Sequence, residues 1–251
     1  MNTRFPISEL LSEGRKIFVL PIGSVEQHGP YLPIDTDLRI AQMLAENLAA
    51  SLSDKRALLL PAIPFSSSWE HKGLGTIALN ISTLAAVLHD IAYSIQTWGI
   101  HSFLILVNWH GGNSILGSLA TEITARENLP TAVIPSASDI GKAWRTIDIT
   151  KAHEVHAGAV ETSIIQAYWP DLIHQQIQDK DNFEPAIQPV NTQAALQAIG
   201  IHHLSSTGIW GAPAEADANK GKELIEQLST NMSTQVKKLL QLISQDEGER
   251  Q

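Results

Sequence analysis

Short apolar runs alternate along the chain with longer segments of helical periodicity, and this alternation restricts the fold more than any other feature of the sequence. The apolar runs are KIFVLPI (16–22), ALLLPAI (57–63), FLILV (103–107) and TAVIP (131–135). Continuous apolar runs of this length are typical of parallel strands that are buried on both faces. The segments 37–52, 82–97 and 113–127 carry apolar residues at spacings of three and four, which predicts crossover helices. The sequence therefore predicts an α/β fold, with a mostly parallel sheet between two layers of helices.

The rest of the chain gives no sign of a second domain. No Gly/Ser-rich or Pro-rich linker divides the 251 residues, so we expect a single domain over 1–251. The segment 218–243 is amphipathic, which predicts a terminal helix packed on the surface. Residues 175–200 are rich in Gln, Asp and Asn, and we expect them to form an exposed excursion or to contact another subunit.

Composition excludes several classes of function and site. A net charge of −9 argues against binding to nucleic acid or to an anionic membrane. The chain contains no cysteine, so histidines and carboxylates are its only strong metal ligands. The first residues lack a secretory apolar segment, and no run approaches the ~20 apolar residues of a membrane-spanning helix. We therefore expect a soluble, cytoplasmic protein.

Polar segments follow three of the predicted strands. They are GSVEQHGPYLPIDTD after the first strand, SSSWEHKG after the second and NWHGGN after the third. In open α/β sheets, ligands bind outside the carboxyl ends of the strands. The sequence therefore predicts that these three segments form one site.

The first of these segments contains four residues with metal-binding chemistry. Glu26 and His28 lie two positions apart, so their side chains leave the same face of an extended segment, and the following turn can return Asp37 to them. This arrangement would give three ligands close together. The alternative is a solvated loop in which Asp35 or Asp37 caps the helix that follows.

Two other segments supply candidate site residues. His110 directly follows a predicted strand and lies at the ligand edge of the sheet; the alternative is a glycine turn capped by Asn113 with an incidental histidine. In HEVHAGAVETS, His156 and Glu161 lie five residues apart, near the start of a predicted helix. A pair of this kind is usually structural.

Further residues in these segments are candidates for lining a substrate pocket. Glu70 and His71 suit a pocket wall or an exposed loop, and the two tryptophans suit either a wall for a planar substrate or the core. The predicted substrate-binding set is Trp69, Glu70, His71, Trp109, Gly111, Gly112 and Asn113.

The acids among these residues require a compensating charge. The candidate ligands are Glu26, His28, Asp37, His110 and Glu161. Burying several carboxylates together without a cation costs on the order of several kcal/mol for each uncompensated charge. The set therefore predicts a divalent metal site that suits zinc, manganese or iron, with one or two ions per chain and one Asp as a bridge between two.

The order and spacing of the motifs resemble the creatininase family. The matching segments are GSVEQHGPYLPIDTD, SSWEHKGLGTIAL, NWHGGN, HAGAVETS and GIWGAP…ADANKGKEL, which together cover most of residues 16–225. The resemblance implies a single-domain three-layer α/β fold, a metal-dependent amidohydrolase and a homo-oligomer, hexameric in the creatinine hydrolases.

The resemblance also implies roles for individual residues. Glu26, His28, Asp37 and His110 match metal ligands, with Asp37 as the bridge, and His156 matches a histidine that handles protons. The creatinine hydrolases carry Tyr and a ligating Glu after the metal-binding histidine, where this chain has two glycines, 111 and 112. The glycine form resembles the deformylase and peptidase branches of the family. In that form, Glu161, the carboxylate of the ETS motif, would replace the missing ligand.

These observations predict an enzyme that hydrolyses a C–N amide bond of a small, non-nucleic substrate. A metal-activated water would attack the amide carbon, and His156 would protonate the leaving nitrogen. The substrate would be a cyclic amide such as creatinine, a formamide or a small peptide. The alternatives are a metal- or ligand-binding protein of the same fold without catalytic activity, and a structural subunit of a larger assembly.

Overall fold

A four-stranded parallel sheet lies at the centre of the computed structural model, which describes residues 15–52, 57–73, 75–173, 175–185 and 191–249. The strands are β1 (Lys16–Ile22), β2 (Ala57–Leu59), β3 (Ser102–Asn108) and β4 (Thr131–Val133), in the order β2-β1-β3-β4. Every pairing is parallel, as the sequence predicts. The N-terminal residues, which are predicted to lack a secretory segment, lie outside the described ranges.

Two strands are shorter than predicted. The prediction of strand over 57–63 is wrong beyond Leu59, because Pro61 has no N–H to donate and regular pairing stops before it. Ile63 then pairs with Ile22 only as an isolated bridge. The prediction over 131–135 is likewise wrong beyond Val133, and Pro135 follows directly.

The helices pack on both sides of the sheet. They are α1 (Thr36–Ser51), α2 (Ile81–Gln96), α3 (Leu116–Glu127), α4 (Ala137–Ile147), α5 (Ala159–Tyr168), α6 (Thr192–Ile199), α7 (Ile201–Leu204) and α8 (Ala218–Glu249). The helix predicted from residue 113 begins only at Leu116, because 111–113 form a short 3₁₀ turn. Residues 175–200, which we expect to form an exposed excursion or to contact another subunit, include α6, and 186–190 lie outside the described residues. In the described part of the chain, none of the helices is long and apolar enough to cross a membrane.

Alternate residues of the strands build two separate cores. Ile17 and Ile105 face the side on which α1, α5 and α8 pack. Phe18 and Leu104 face the opposite side, against α2 and α3. Helices therefore cover both faces of the sheet, and this explains why the strands are continuous apolar runs in the sequence. The three-layer α/β arrangement is confirmed, while the single domain over 1–251 extends beyond the described residues and stays a prediction.

The register of the central strands places the chemistry-bearing segments side by side. β1 and β3 pair along their whole length, and the last pair is Ile22 with Asn108. The segments that follow these two strands, with Glu26 and with His110, therefore start as neighbours at one edge of the sheet.

The end of β1 also fixes the position of α1. A Cβ atom at Gly23 would lie 2.3 Å from Leu38 Cα and 2.5 Å from Leu38 N, which are backbone atoms that cannot rotate away. The first turn of α1 carries Asp37, which is buried. The absence of a side chain at Gly23 therefore brings Asp37 close to the strand ends.

We expect Gly23→Ala to destabilise the protein by about 1–3 kcal/mol, the usual cost of forcing an extra methyl group into a packed interior. The matched control is Gly117→Ala in α3, where an added Cβ meets no atom of the described residues within 4 Å. Gly117→Ala should stabilise the protein by at most about 1 kcal/mol, because alanine favours a helix more than glycine does. Urea unfolding of both variants measures the difference, and equal stabilities would contradict the tight contact at Gly23.

Candidate metal centre

Seven acidic and imidazole side chains converge at the carboxyl edge of the sheet. They come from the segments after β1, β2 and β3, from the first turn of α1 and from the start of α5. They are Glu26, His28, Asp37, His71, His110, His156 and Glu161. The structure thus brings together the five predicted ligands and the predicted proton-handling histidine, and it adds His71, predicted only to line a pocket.

Asp37 lies between two histidines that the sequence places far apart. Its Oδ1 is 3.4 Å from His28 Nε2, and its Oδ2 is 3.0 Å from His110 Nδ1. It does not cap α1 with its side chain, and neither does Asp35, which pairs with Arg39 instead. The two oxygens of Asp37 therefore face different imidazoles, as a bridging carboxylate would.

Glu26 is the second acid at the centre of the cluster. Its Oε1 is 3.2 Å from His110 Nδ1, 3.6 Å from His71 Nε2 and 3.7 Å from His156 Nδ1. Its other oxygen accepts a hydrogen bond from the Ser24 hydroxyl, at 2.9 Å. One oxygen is thus held by the protein, while the other faces three imidazoles.

Several buried polar atoms of the cluster make no hydrogen bond. Within the described residues, these include Glu26 Oε1, His28 Nε2 and Asp37 Oδ2. The three residues each offer a ligand atom within 4.8 Å of the others. Buried polar atoms without partners are rare and costly in folded proteins. Oxygen and imidazole nitrogen atoms at this spacing fit a divalent cation, which would satisfy all three.

Backbone carbonyls set the tautomer of three of the histidines. A carbonyl oxygen only accepts, so the ring nitrogen that contacts it carries the proton. The contacts are His28 Nδ1 with Glu26 O (3.1 Å), His110 Nε2 with Ser67 O (2.8 Å) and His156 Nε2 with Gln27 O (2.6 Å). In the neutral form of each ring, the other nitrogen then directs its lone pair toward the carboxylates. Such outer contacts are usual around histidines that bind metals.

Charge coupling shifts the pKa values in the cluster. Burial alone would lower the pKa of His28, but Asp37 and Glu161 raise it to about 10. Burial raises the pKa of Glu161 to about 7 despite the nearby His28. Burial, together with the charge of His28, lowers the pKa of His156 to about 4. In the absence of an ion, protons on the histidines therefore balance the acids, and an ion would have to displace them.

Glu161 is held in place at the edge of the cluster. Its Oε2 accepts a hydrogen bond from the Ala157 N–H at 2.7 Å, and its Oε1 accepts one from Trp109 Nε1 at 3.2 Å. The same Oε2 is 3.8 Å from His28 Nε2. Glu161, His28 and His156 offer a second group of ligand atoms within 4.8 Å of one another, and Glu26, His71 and His156 offer a third. The position suits a ligand, and that role stays a prediction.

The space beside Gly112 is filled by another carboxylate. A Cβ atom at Gly112 would lie 2.0 Å from Glu70 Oε1 and 2.4 Å from His110 Nε2. Glu70 Oε1 is itself 3.5 Å from His110 Nε2, on the side of the ring away from Glu26. A side chain at 112 would therefore displace the ring of His110 or the carboxylate of Glu70.

The predicted substrate-binding residues border a cleft of about 1440 Å³ that opens from the cluster. Trp69 is 48% exposed, so its ring is available at the wall of the cleft. Trp109 is buried and donates to Glu161, and the amide of Asn113 bonds to Ser67 N and Asn108 Oδ1. The polar groups of Trp109 and Asn113 are thus engaged within the protein.

Several residues that support the cluster were not predicted from the sequence. Glu154 accepts hydrogen bonds from the N–H groups of Val160 and Ala212, so it anchors the start of α5 beside His156. Ser24 and Ser68 contact each other and link Glu26 to His110. Serine and glutamate are common in loops, and only the folded backbone shows which of them face inward.

Comparisons with known proteins identify the family. The model of the family described as "Creatininase: Creatinine amidohydrolase" matches residues 3–236. The chain belongs to the creatininase family. The "Mycofactocin precursor peptide peptidase" of Mycolicibacterium smegmatis is 28% identical over 88% of this chain and 84% of its own length. The "Creatinine amidohydrolase" of Pseudomonas putida is 23% identical over 65% of this chain and 68% of its own length.

Solved structures of creatininases have the same fold. The structure described as "Creatininase Mn" superimposes with a TM-score of 0.76 at 20% identity, covering 94% of this chain and 97% of that one. A putative creatinine amidohydrolase from Bacteroides fragilis gives a TM-score of 0.67 at 22% identity, with 90% of each chain covered. As a member of the creatininase family, the chain is a metal-dependent amidohydrolase, an enzyme that hydrolyses a C–N amide bond.

We expect His110→Ala to remove most of the bound metal, because Nδ1 of His110 faces both Glu26 and Asp37. The matched control is His89→Ala, since His89 lies outside the cluster, where its ring pairs with Glu122 and Glu127. Elemental analysis of both purified variants gives the metal content per chain. Full occupancy in His110→Ala would contradict its assignment as a ligand.

Proposed function

We propose that this creatininase-family enzyme hydrolyses a peptide bond in a short peptide. The observation that carries the proposal is the extent of the cleft that opens from the cluster, about 1440 Å³. Pockets for small molecules usually measure about 300–1,000 Å³. A cyclic amide of the size of creatinine would fill only a small part of this cleft, whereas an extended peptide would contact several of its walls.

Two further observations support a peptide over creatinine. The peptidase of Mycolicibacterium smegmatis aligns with a larger share of the chain than the creatinine amidohydrolase of Pseudomonas putida, 88% against 65%, and at a higher identity. Gly111 also leaves one wall of the cleft without a side chain. An added Cβ at Gly111 would meet no described atom within 4 Å, so this wall of the cleft is open.

The centre would hold one or two divalent ions on Glu26, His28, Asp37, His110 and Glu161. When bound, the ion would lower the pKa of a water molecule and polarise the amide carbonyl. Imidazole and carboxylate ligands without thiolates suit zinc, and manganese and iron(II) are the alternatives that metal analysis would distinguish.

His156 is the residue that would move the proton. Its Nε2 donates to the Gln27 carbonyl at 2.6 Å, so in the neutral ring Nδ1 is free to accept. As the water oxygen bonds to the amide carbon, its proton would pass to His156 Nδ1. The C–N bond then breaks as the same proton passes to the leaving nitrogen. Burial lowers the pKa of His156, which keeps the ring neutral, and so able to accept, at neutral pH.

The family resemblance also underlies two expectations about the whole protein. We propose a homo-oligomer, which light scattering at micromolar concentration would detect, and a cytoplasmic location. The net charge of −9 and the acidic centre give no support to a nucleic-acid partner.

Incubation of the metal-reconstituted protein with a mixture of short peptides, creatinine and formamides should yield new peptide termini, detected by mass spectrometry. Metal-free protein and His156→Gln, purified in the same way, should give at least about 100-fold less product, since loss of a general base typically costs that much or more. Turnover of creatinine or a formamide without cleavage of any peptide would contradict the proposal. Equal cleavage by His156→Gln would indicate a contaminating peptidase.

A further inference from the structure

The orientation of one amide side chain separates His71 from the other histidines of the cluster. Gln27 Oε1 is 3.0 Å from the Gly29 backbone N, and this N–H can only donate. The Nε2 end of the same amide lies 3.5 Å from the Gly208 carbonyl, which can only accept. If the oxygen and the nitrogen of the amide were exchanged, the amide NH₂ would face the Gly29 N–H and the amide oxygen would face the Gly208 carbonyl. The amide orientation is therefore fixed by the backbone on both sides.

This orientation determines the tautomer of His71. Gln27 Nε2 is 2.9 Å from His71 Nδ1, and an amide nitrogen only donates. His71 Nδ1 must therefore accept with its lone pair. In the neutral ring, the proton of His71 then lies on Nε2.

His71 thus presents to the cluster the opposite group from its neighbours. His28, His110 and His156 each donate to a backbone carbonyl, and in the neutral ring the other nitrogen directs a lone pair inward. His71 receives a hydrogen bond from outside and directs an N–H inward. A metal ligand needs a lone pair, and in the neutral ring Nε2 of His71 has a proton instead. Nε2 can therefore donate a hydrogen bond but cannot bind an ion.

The inward N–H of His71 has no acceptor among the described residues. The carboxylate oxygen that it faces, Glu26 Oε1, is 3.6 Å away, beyond a good hydrogen bond. The ring packs against that of His156, with centroids 4.1 Å apart, and it borders the cleft. A group that enters the cleft next to Glu26 and His156 would therefore meet this N–H.

We propose that His71 is a further catalytic residue, which donates its Nε2–H to the carbonyl oxygen of the substrate amide, and that Gln27 is the positioning residue that keeps the proton there. This proposal rests on the proposed amide hydrolysis. As the water oxygen bonds to the carbonyl carbon, the carbonyl oxygen gains negative charge, and the hydrogen bond from His71 strengthens. No proton needs to leave His71, and the oxygen loses its negative charge when the C–N bond breaks and the C=O bond of the new carboxyl group re-forms.

Two substitutions at His71 separate donation from metal binding. His71→Phe keeps an aromatic ring but removes the N–H, so kcat should fall by about 100-fold or more, the typical effect of losing an oxyanion donor, with a smaller change in KM. His71→Gln places an amide N–H near the former Nε2 and should recover part of the loss. Both variants should keep the metal content of the wild type by elemental analysis. Loss of metal in either folded variant would overturn the proposal and make His71 a ligand.

A measurement on the wild-type protein tests the tautomer without any substrate. In the metal-loaded protein labelled with ¹⁵N at histidine, the resonances that disappear in His71→Gln belong to His71. Their shifts should be those of a neutral ring protonated at Nε2. A ring protonated at Nδ1 would overturn the proposal. This outcome is independent of the peptide substrate, so failure to cleave peptides and failure of the His71 assignment are distinguishable.

The role of Gln27 is tested by Gln27→Met, which keeps the length of the side chain and removes the amide donor. The His71 resonances should then show a mixture of both tautomers, and kcat should fall while metal content is unchanged. An unaltered tautomer in Gln27→Met would show that Gln27 does not position the ring.

Discussion

The structure depends on a concentration of buried carboxylates that must be balanced either by protons on neighbouring histidines or by a bound cation. Glu26, Asp37 and Glu161 lie among four histidines, and Glu26 and Asp37 are almost completely buried. Uncompensated carboxylates at such a site are costly. Three polar atoms at the centre make no hydrogen bond within the described chain. The parallel sheet, the packing of α1 against Gly23 and the anchoring of α5 all hold these groups close together in spite of that cost.

A set of backbone contacts makes this cluster specific. Three carbonyls fix the histidines whose lone pairs face the acids, and one glutamine amide fixes the histidine that faces them with an N–H. The same residue types can thus serve different purposes, because the proton position is set by what lies behind each ring. This division matches the needs of amide hydrolysis, which requires ligands for an ion, an acceptor for the proton of water and a donor for the carbonyl oxygen.

Much of the fold was predictable, because apolar runs and helical periodicity report burial on the two faces of the sheet. The strand limits at Leu59 and Val133 were missed because proline interrupts the pairing of residues that are still apolar. α6 was missed because its polar surroundings hide a short amphipathic helix. The segments that build the site were found because they follow strands. The position of His71 was not predictable, because it depends on Gln27, 44 residues away in sequence.

Diffraction from crystals of the metal-reconstituted protein, recorded on both sides of the absorption edge of the ion, would show whether an ion binds between Glu26 and Asp37. We expect an anomalous peak at ordinary coordination distances, about 2.0–2.2 Å, from carboxylate oxygens of Glu26 and Asp37 and from Nδ1 of His110. We expect no ion bonded to Nε2 of His71. The absence of any peak between Glu26 and Asp37, or a peak bonded to His71 Nε2, would contradict this expectation.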